Sequence, residues 1–213
     1  MKTIHFYLDF ISPYAWLAFN ALPQALQGIS HRVEHRPVLF GAMLKHHGQL
    51  GPAEIDSKRD WTYRQVLWLA HQQGLELKLP AAHPFNPLGL LRLAVACDAQ
   101  GTPNRYVCEQ VFRHVWCSGL DAADPDRLAA LSAELKPGRD VASPEVKQAL
   151  QAHTEQAIAL GLFGVPSFVV DDKVFWGQDA LPMLRAYLLN DPWFEGPDWN
   201  AVRQTSVGVR RNG

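Results

Sequence analysis

Segments that favour β-strands lie near the two ends of this chain, and a long helical stretch separates them. Near the start, an apolar run over residues 4–11 and a second run over residues 31–39 are typical of strands. Near the end, residues 164–176 contain two further strand-like runs that are joined by a short polar turn. The simplest fold brings both ends together in space, so the middle of the chain is expected to cap them.

The middle of the chain has the apolar spacing of helices and few strand-like runs. Gly74 and Gly101 follow two of the predicted helices, where helix C-caps favour glycine. Asp124 and Ser143 each precede a proline, which is the pattern of an N-cap followed by the first helical residue. The predicted helices span residues 61–73, 88–100, 104–116, 125–135 and 144–160.

The charge balance argues against a nucleic-acid or acidic-membrane partner, because 20 Lys and Arg residues stand against 21 Asp and Glu residues. The basic pair Arg210-Arg211 is interpreted as part of a frayed tail. No apolar run approaches the roughly 20 residues of a membrane span. Asp9 falls where a signal peptide needs its apolar stretch. We therefore expect a cytoplasmic protein that has no membrane partner.

The cysteines and histidines show neither a disulfide framework nor a metal site. Three cysteines lie in apolar contexts without C-x-x-C spacing, namely Cys97, Cys108 and Cys117, and such thiols are expected to be buried and inert. His46 and His47 are adjacent rather than three or four residues apart on a helix, and no Cys and His pair has zinc-ligand spacing. We expect no metal.

Ser12 lies where the first strand-like run ends, and Pro13 takes the first position of the helix that follows. Proline is tolerated there because its missing N–H is one of the unpaired donors of a helix start. Those donors and the positive end of the helix dipole favour an anion at the helix tip. Ser12 is therefore either a simple N-cap, which stabilises the helix by about 1 kcal/mol, or a residue whose hydroxyl binds an anion.

A β-α-β order at the start of the chain and a β-β-α order at its end form a thioredoxin-like arrangement. Pro166 opens the first of the late strands, and a proline there belongs at an edge or beside a site. By resemblance to that fold, Pro166 is expected to be cis and to face the helix tip with Ser12. We predict an α/β protein in which a thioredoxin-like domain of residues 1–40 and 160–213 is interrupted by an all-helical insertion of residues 41–159.

The helix tip carries Ser12-Pro13-Tyr14-Ala15, where thiol-disulfide oxidoreductases of this fold carry Cys-x-x-Cys. Both sulfurs are absent, which excludes disulfide exchange because that reaction needs a thiolate attacker and a resolving thiol. The remaining N–H donors, helix dipole and hydroxyl suit an external thiolate. A serine nucleophile fits less well, since it needs a nearby base and no histidine neighbours Ser12 in sequence.

Residues 6–17 resemble the opening of the 2-hydroxychromene-2-carboxylate isomerases and of their relatives, the kappa-class glutathione transferases. Both families belong to the DsbA-like branch of the thioredoxin superfamily. Similar stretches follow in the family order over nearly the whole chain, at residues 36–39, 83–92, 163–168 and 175–179. Residues 46–54 depart from the pattern, because they lack an asparagine that relatives can place near the bound ligands.

The resemblance implies that glutathione is the cofactor and that Ser12 hydrogen-bonds its sulfur. It implies that the backbone of Val165 pairs with the cysteinyl part of glutathione and that Gln178 and Asp179 receive the γ-glutamyl end. Asp179 also fits an N-cap of the last helix, and Trp176 fits either the pocket or the core. The cofactor-binding residues expected from the resemblance are Ser12, Val165, Pro166, Trp176, Gln178 and Asp179.

The resemblance implies an isomerase of aromatic degradation, in which the thiolate adds reversibly to 2-hydroxychromene-2-carboxylate and leaves unchanged once trans-o-hydroxybenzylidenepyruvate has formed. The substrate carboxylate calls for a cation, and the substrate-binding candidates are Lys45, Lys58 and Arg92, with Asn86 as a polar orienter. One alternative is a kappa-class-like transferase that conjugates glutathione to electrophiles. Another is a non-catalytic binding module on a DsbA-like scaffold. Dimers are common among such relatives, so we expect a homodimer.

Overall fold

The computed structural model describes residues 1–202, 205, 206 and 208, and the Arg210-Arg211 pair lies outside these residues. Four strands form one sheet in the order β2-β1-β3-β4. They are β1 (Lys2–Leu8), β2 (His31–Pro37), β3 (Ser167–Val170) and β4 (Lys173–Trp176). β1 runs parallel to β2 and antiparallel to β3, and β3 runs antiparallel to β4. The two ends of the chain therefore meet in one sheet, which confirms the predicted α/β thioredoxin-like fold.

Helices α2 to α7 lie between β2 and β3, so the predicted helical insertion is also confirmed. The helices are α1 (Pro13–Ala25), α2 (Phe40–His47), α3 (Asp56–Gln72), α4 (Leu88–Ala96), α5 (Arg105–Trp116), α6 (Pro125–Leu135), α7 (Pro144–Ala159), α8 (Leu181–Leu188) and α9 (Pro197–Ala201). Short 3₁₀ turns span Pro52–Glu54, Gln178–Ala180 and Pro192–Glu195. The exact domain boundaries at residues 40 and 160 remain a prediction.

Two helix ends differ from the prediction for local reasons. α3 begins at Asp56 rather than at residue 61, directly after the preceding 3₁₀ turn. α4 ends at Ala96 rather than at residue 100, because the Asp98 carboxylate accepts hydrogen bonds from the backbone N–H groups of the next turn. A side chain that bonds nearby backbone groups offers the chain an alternative to continuing the helix.

Side-chain caps define the starts of three insertion helices, and the sequence predicted two of these caps. The Asp124 carboxylate accepts a hydrogen bond from the Arg127 N–H at 2.9 Å at the start of α6. The Ser143 hydroxyl accepts one from the Val146 N–H at 3.3 Å at the start of α7. Asn104 caps α5 in the same way. Each cap satisfies one of the donors that a helix start leaves unpaired.

We expect Asp124→Ala to lower the free energy of unfolding by about 1 kcal/mol, because α6 loses its N-cap acceptor. Urea unfolding of the two proteins measures the difference. Asp126→Ala is the control, since Asp126 lies in the first turn of the same helix without occupying the cap position. Equal losses in both variants would contradict a specific capping role for Asp124.

The core is continuous between the sheet and the insertion. Phe10, two residues beyond the end of β1, packs edge-on against Phe112 of α5 with ring centroids 4.8 Å apart. The indole N–H of Trp116 donates to the Phe10 carbonyl at 2.9 Å, although 106 residues separate the two. The insertion thus supports the loop that joins β1 to α1.

Within the described residues, no helix is long and apolar enough to cross a membrane.

Candidate active site

Ser12 lies at the N-terminal tip of α1 with only 6 % of its surface exposed. Its extended backbone (φ −86°, ψ 116°) and the following Pro13 start the helix, and its hydroxyl accepts a hydrogen bond from the Ala15 N–H at 3.2 Å. The hydroxyl donates to the Val165 carbonyl at 3.4 Å. That separation is long for a hydroxyl donor, so the proton is weakly held and can turn to a ligand.

The loop before Ser12 is held by the fully buried Asp9. Its carboxylate accepts hydrogen bonds from the Ile11 N–H at 3.1 Å and from the Phe40 N–H at 2.9 Å. Its backbone carbonyl accepts from the Ser12 N–H at 3.1 Å. α2 has no side-chain cap of its own at Leu39, so Asp9 supplies the acceptor for that helix start from a distant part of the chain.

Burial raises the pKa of Asp9 to about 7, and its backbone N–H donors limit the rise because they stabilise the carboxylate. Near neutral pH the carboxyl group of Asp9 therefore titrates within the folded protein. Asp9 also lines the cavity that opens at Ser12. Sequence reasoning used Asp9 only as evidence against a signal peptide, although a single acid inside an apolar strand-like run is itself a signal.

His83 holds the same loop from the insertion side. Its Nε2 lies 2.9 Å from the Ile11 carbonyl, and its Nδ1 lies 2.8 Å from the Tyr63 hydroxyl. A carbonyl can only accept, so Nε2 carries the proton and Nδ1 accepts from Tyr63. Burial lowers the pKa of His83, which favours this neutral form. Tyr63 and His83 thus connect α3 to the residue that precedes Ser12.

The wall opposite the helix tip is formed by the segment that enters β3. The Val165–Pro166 bond is cis, as the resemblance implied. The ladder between β1 and β3 ends at the Tyr7 and Ser167 pair, so the backbone of Val165 extends beyond the paired strand and lines the cavity. An extended ligand can pair with such a free strand end.

Trp176 closes the wall beside this segment. Its ring lies 4.7 Å from that of Phe163, and 52 % of its surface is exposed. A Cβ at Gly164 would come within 2.5 Å of the Trp176 indole nitrogen, so only glycine leaves room for this close approach. Trp176 therefore belongs to the cavity wall, and it is not a core residue.

Gln178 and Asp179 form the far end of the cavity, at the 3₁₀ turn that precedes α8. Gly177 has a left-handed φ of +96° and directs the chain from β4 into this turn. The cap positions of the turn and of α8 are Gly177 and Ala180, and neither start has a side-chain cap bond. Burial raises the pKa of Tyr14, which lines the cavity from α1, and the negative charge of Asp179 raises it further.

A single cavity of about 980 Å³ brings together all six predicted cofactor residues. They are Ser12, Val165, Pro166, Trp176, Gln178 and Asp179. Sequence reasoning had not assigned several further lining residues to the site, among them Asp9, Tyr14, Phe40, Glu54, Gln65 and His83. His83 lies in a stretch that resembles the family, and that stretch was the available signal for it.

The four predicted substrate-binding residues do not line this cavity. Lys45 and Lys58 are exposed on α2 and α3, and Arg92 lies half-buried on α4. Asn86 is engaged locally, because its side-chain oxygen accepts from the Leu88 N–H at 3.1 Å at the start of α4. In the part of the chain that the structure describes, no three His, Cys, Asp or Glu side chains are grouped to hold a metal ion.

The comparisons with known proteins agree with this geometry. The chain is 29% identical over 196 residues to 2-hydroxychromene-2-carboxylate isomerase of Sphingobium xenophagum, covering 89% of this chain and 99% of the relative. It is 26% identical over 214 residues to glutathione S-transferase kappa 1 of Homo sapiens, covering 92% of this chain and 94% of the relative.

A solved structure of 2-hydroxychromene-2-carboxylate isomerase matches with a TM-score of 0.75 at 22% identity, covering 92% of this chain and 98% of that chain. This likeness shows a shared fold. A family model described as a DSBA-like thioredoxin domain matches residues 3–189. Because that match includes both strand-forming ends and the helical insertion between them, the chain belongs to the DSBA-like thioredoxin domain family.

Proposed function

We propose that this protein is a glutathione-dependent isomerase that acts on 2-hydroxychromene-2-carboxylate or a similar intermediate of aromatic degradation. The observation that carries the proposal is a helix tip without cysteine, at which the Ser12 hydroxyl faces a cavity large enough for a peptide thiol and a second molecule. Relatives named as this isomerase and as kappa glutathione transferases support it. We further propose that it acts in the cytoplasm as a homodimer on a small aromatic substrate.

The helix tip favours a thiolate for two electrostatic reasons. The N-terminus of α1 presents unpaired N–H groups and the positive end of the helix dipole, which lower the pKa of a nearby thiol. The Ser12 proton, weakly held by Val165 at 3.4 Å, turns to donate to the sulfur. The backbone of Val165 pairs with the cysteinyl part of glutathione, and the Asp179 carboxylate receives the glutamyl ammonium group.

The isomerase reaction is a reversible addition that leaves glutathione unchanged. The substrate ring opens first: the bond between C2 and the ring oxygen breaks, the hemiketal hydroxyl becomes a ketone, and its proton passes to the phenolic oxygen. The sulfur then bonds to the ring-bearing carbon of the resulting cis conjugated ketone while the carbon–carbon double bond becomes single, and the electron pair is held on the carbonyl oxygen as an enolate. Rotation about the single bond follows. Expulsion of the thiolate then restores the double bond in the trans geometry. The protein contributes by supplying a preformed thiolate and by holding it against the acceptor carbon.

The second candidate function is transfer of glutathione to an electrophile that retains it. The observation that favours it is the lining of the cavity, where the predicted cationic partners of a substrate carboxylate are not found. The same thiolate serves both reactions, because they differ only in whether the enolate expels sulfur or takes a proton.

The ultraviolet spectrum of the protein with 2-hydroxychromene-2-carboxylate, with and without glutathione, tests the proposal. We expect conversion to the benzylidenepyruvate only when glutathione is present. Glutathione binding by calorimetry without conversion would favour the transferase. Failure to bind glutathione at millimolar concentration would contradict both and leave a non-catalytic module.

The Tyr63 hydroxyl positions the helix tip indirectly, through His83. We expect Tyr63→Phe to lower kcat about fivefold with little change in KM for glutathione, because loss of one hydrogen bond of about 1 kcal/mol loosens His83 and the Ile11 carbonyl. Steady-state kinetics measure kcat and the KM for glutathione separately. Tyr106→Phe is the control, since Tyr106 is 55 % exposed on α5. Equal kinetics in the two variants would contradict the role of Tyr63.

A further inference from the structure

Helix α3 contributes three side chains to the cavity wall on the insertion side, namely Thr62, Gln65 and Leu69. They lie three and seven residues apart, so they share one face of the helix. Leu69 is apolar, whereas Thr62 and Gln65 carry polar ends. Side chains three residues apart on a helix have Cβ atoms about 5–6 Å apart. The two polar side chains can therefore contact one ligand group together.

The Thr62 hydroxyl is nearly buried and opens on the cavity. Only 8 % of the surface of Thr62 is exposed, and the residue lines the cavity. On this face of α3, the hydrogen bond within the described residues is made by Gln65, and the Thr62 hydroxyl has no partner there. Buried polar groups are nearly always hydrogen-bonded, so this hydroxyl is suited to a ligand that accepts a hydrogen bond.

Tyr14 fixes the orientation of the Gln65 amide. The Tyr14 hydroxyl donates to Gln65 Oε1 at 2.7 Å. Burial raises the pKa of Tyr14, so the phenol keeps the proton that it donates near neutral pH. Because the amide oxygen is engaged, the two N–H donors of Gln65 are left for a ligand. Tyr14 lies two residues after Ser12, so this bond joins Gln65 to the first turn of α1.

Three acids line the same cavity, and each has another partner. Asp9 accepts hydrogen bonds from two backbone N–H groups, and the Glu54 carboxylate accepts one from the Gly51 N–H at 2.7 Å. In the proposed complex, Asp179 receives the ammonium group of glutathione. No lysine or arginine of the described residues lines the cavity. A substrate carboxylate there must therefore be bound by neutral donors.

We propose that Thr62 and Gln65, which we call the donor pair, bind the carboxylate of the aromatic substrate and select carboxylates over uncharged analogues. This inference rests on the proposed function, because it assumes that glutathione occupies the sheet side of the cavity with its sulfur at Ser12. A hydrogen bond to an ionised acceptor is stronger than one to a neutral acceptor. Leu69, one turn beyond Gln65, packs against the apolar part of the substrate. The donor pair thus takes the role that a lysine or arginine was expected to fill.

Two unreactive ligands of nearly the same shape test the selectivity. 4-Phenylbutanoate has as many carbons between its ring and its carboxylate as benzylidenepyruvate has, and 4-phenylbutanamide replaces that carboxylate by a neutral amide. Neither has a conjugated double bond to which the sulfur could add. Calorimetry on the wild-type protein saturated with glutathione gives both dissociation constants. We expect the acid to bind about fivefold more tightly than the amide.

Gln65→Glu tests the amide donors of the pair. Glutamate keeps an acceptor for the Tyr14 hydroxyl, but it replaces the two N–H donors with a charged oxygen. We expect the affinity for the acid to fall about tenfold or more, and the affinity for the amide to be unchanged or higher. Gln72→Glu is the matched control, because it adds the same charge at an exposed position of α3 that does not line the cavity. This control should change both affinities less than about twofold.

Thr62→Val tests the hydroxyl of the pair, since valine has nearly the shape of threonine without the hydroxyl. We expect the affinity for the acid to fall about fivefold. Thr62→Ser retains the hydroxyl and should keep the affinity for the acid within about twofold of that of the wild type. Equal affinities of the valine and serine variants would contradict a role for the hydroxyl.

The outcomes separate this inference from the function on which it rests. Equal binding of acid and amide by the wild type, or binding of neither, would overturn the inference. An effect of Gln65→Glu no larger than that of Gln72→Glu would also overturn it. So would a Gln65→Glu variant that loses glutathione affinity and keeps its preference for the acid, since Gln65 would then serve glutathione.

Failure of the proposed function has a different signature. Preference for the acid without glutathione-dependent conversion of 2-hydroxychromene-2-carboxylate would overturn the isomerase and leave the donor pair supported. Absence of glutathione binding to the wild type would overturn the proposed function. Titrations of acid and amide into the protein alone would then decide the inference, by the same comparison of Gln65→Glu with Gln72→Glu.

Discussion

Ser12→Ala is expected to reduce glutathione-dependent turnover by about 10²- to 10³-fold, the usual cost of removing one preorganised donor from a developing anion. In the proposed reaction the hydroxyl is the group that donates to the sulfur, and alanine would leave only the backbone donors of α1. The fold should persist, because the loss of an N-cap costs about 1 kcal/mol. The pKa of bound glutathione, followed by the ultraviolet absorbance of its thiolate, should rise in the variant.

Ser143→Ala is the matched control for this prediction. Ser143 is also a serine N-cap followed by a proline, and its hydroxyl accepts from the Val146 N–H at 3.3 Å at the start of α7. It does not line the cavity. Both variants should lose a similar free energy of unfolding, and only Ser12→Ala should lose turnover. Turnover of Ser12→Ala within about twofold of that of Ser143→Ala would remove Ser12 from the mechanism.

Asp9→Asn is expected to change how the stability depends on pH. The Asp9 carboxyl group loses its proton near its ordinary pKa of 3.8 in the unfolded chain and near 7 in the folded protein. Between those values the folded state binds more protons than the unfolded state, so the contribution of Asp9 to stability falls as pH rises. The free energy of unfolding of the wild type minus that of the variant should fall by about 4 kcal/mol as the pH rises between the two pKa values. Above the higher pKa this difference should stay constant.

Urea unfolding of both proteins from pH 4 to pH 8 measures this difference. Subtraction removes contributions that the two proteins share, such as that of His35. Burial lowers the pKa of His35 to about 4, so its contribution has the opposite sign and is lost as pH falls. Parallel stability curves for the wild type and Asp9→Asn would contradict a raised pKa for Asp9.

Local signals predicted most of the helices and strands that the structure contains. The insertion helices with Asp124 and Ser143 as caps begin where the sequence places them, because an N-cap bonds a donor only three residues away. α2 was not predicted as a helix. Its cap is the carboxylate of Asp9, which lies 31 residues before Phe40, and no local pattern reports a bond over that separation.

The expectation for a substrate cation shows where sequence reasoning stops. Lys45, Lys58 and Arg92 have the right charge, but a helix periodicity tells only which residues share a face. It does not tell which face meets the cavity. The tertiary structure directs Lys45 and Lys58 to solvent and uses Asn86 as a local acceptor for α4.

The sequence by itself determined the fold class, the helical insertion and the cysteine-free helix tip, because strand runs, caps and the Ser12-Pro13 pair act over a few residues. Only the tertiary structure decided that Asp9, Tyr63 and His83 hold that tip, and that no lysine or arginine of the described residues lines the cavity. Hydrogen bonds and burial that join distant segments depend on how the chain packs. The polarity of the cavity is therefore a property of the folded chain.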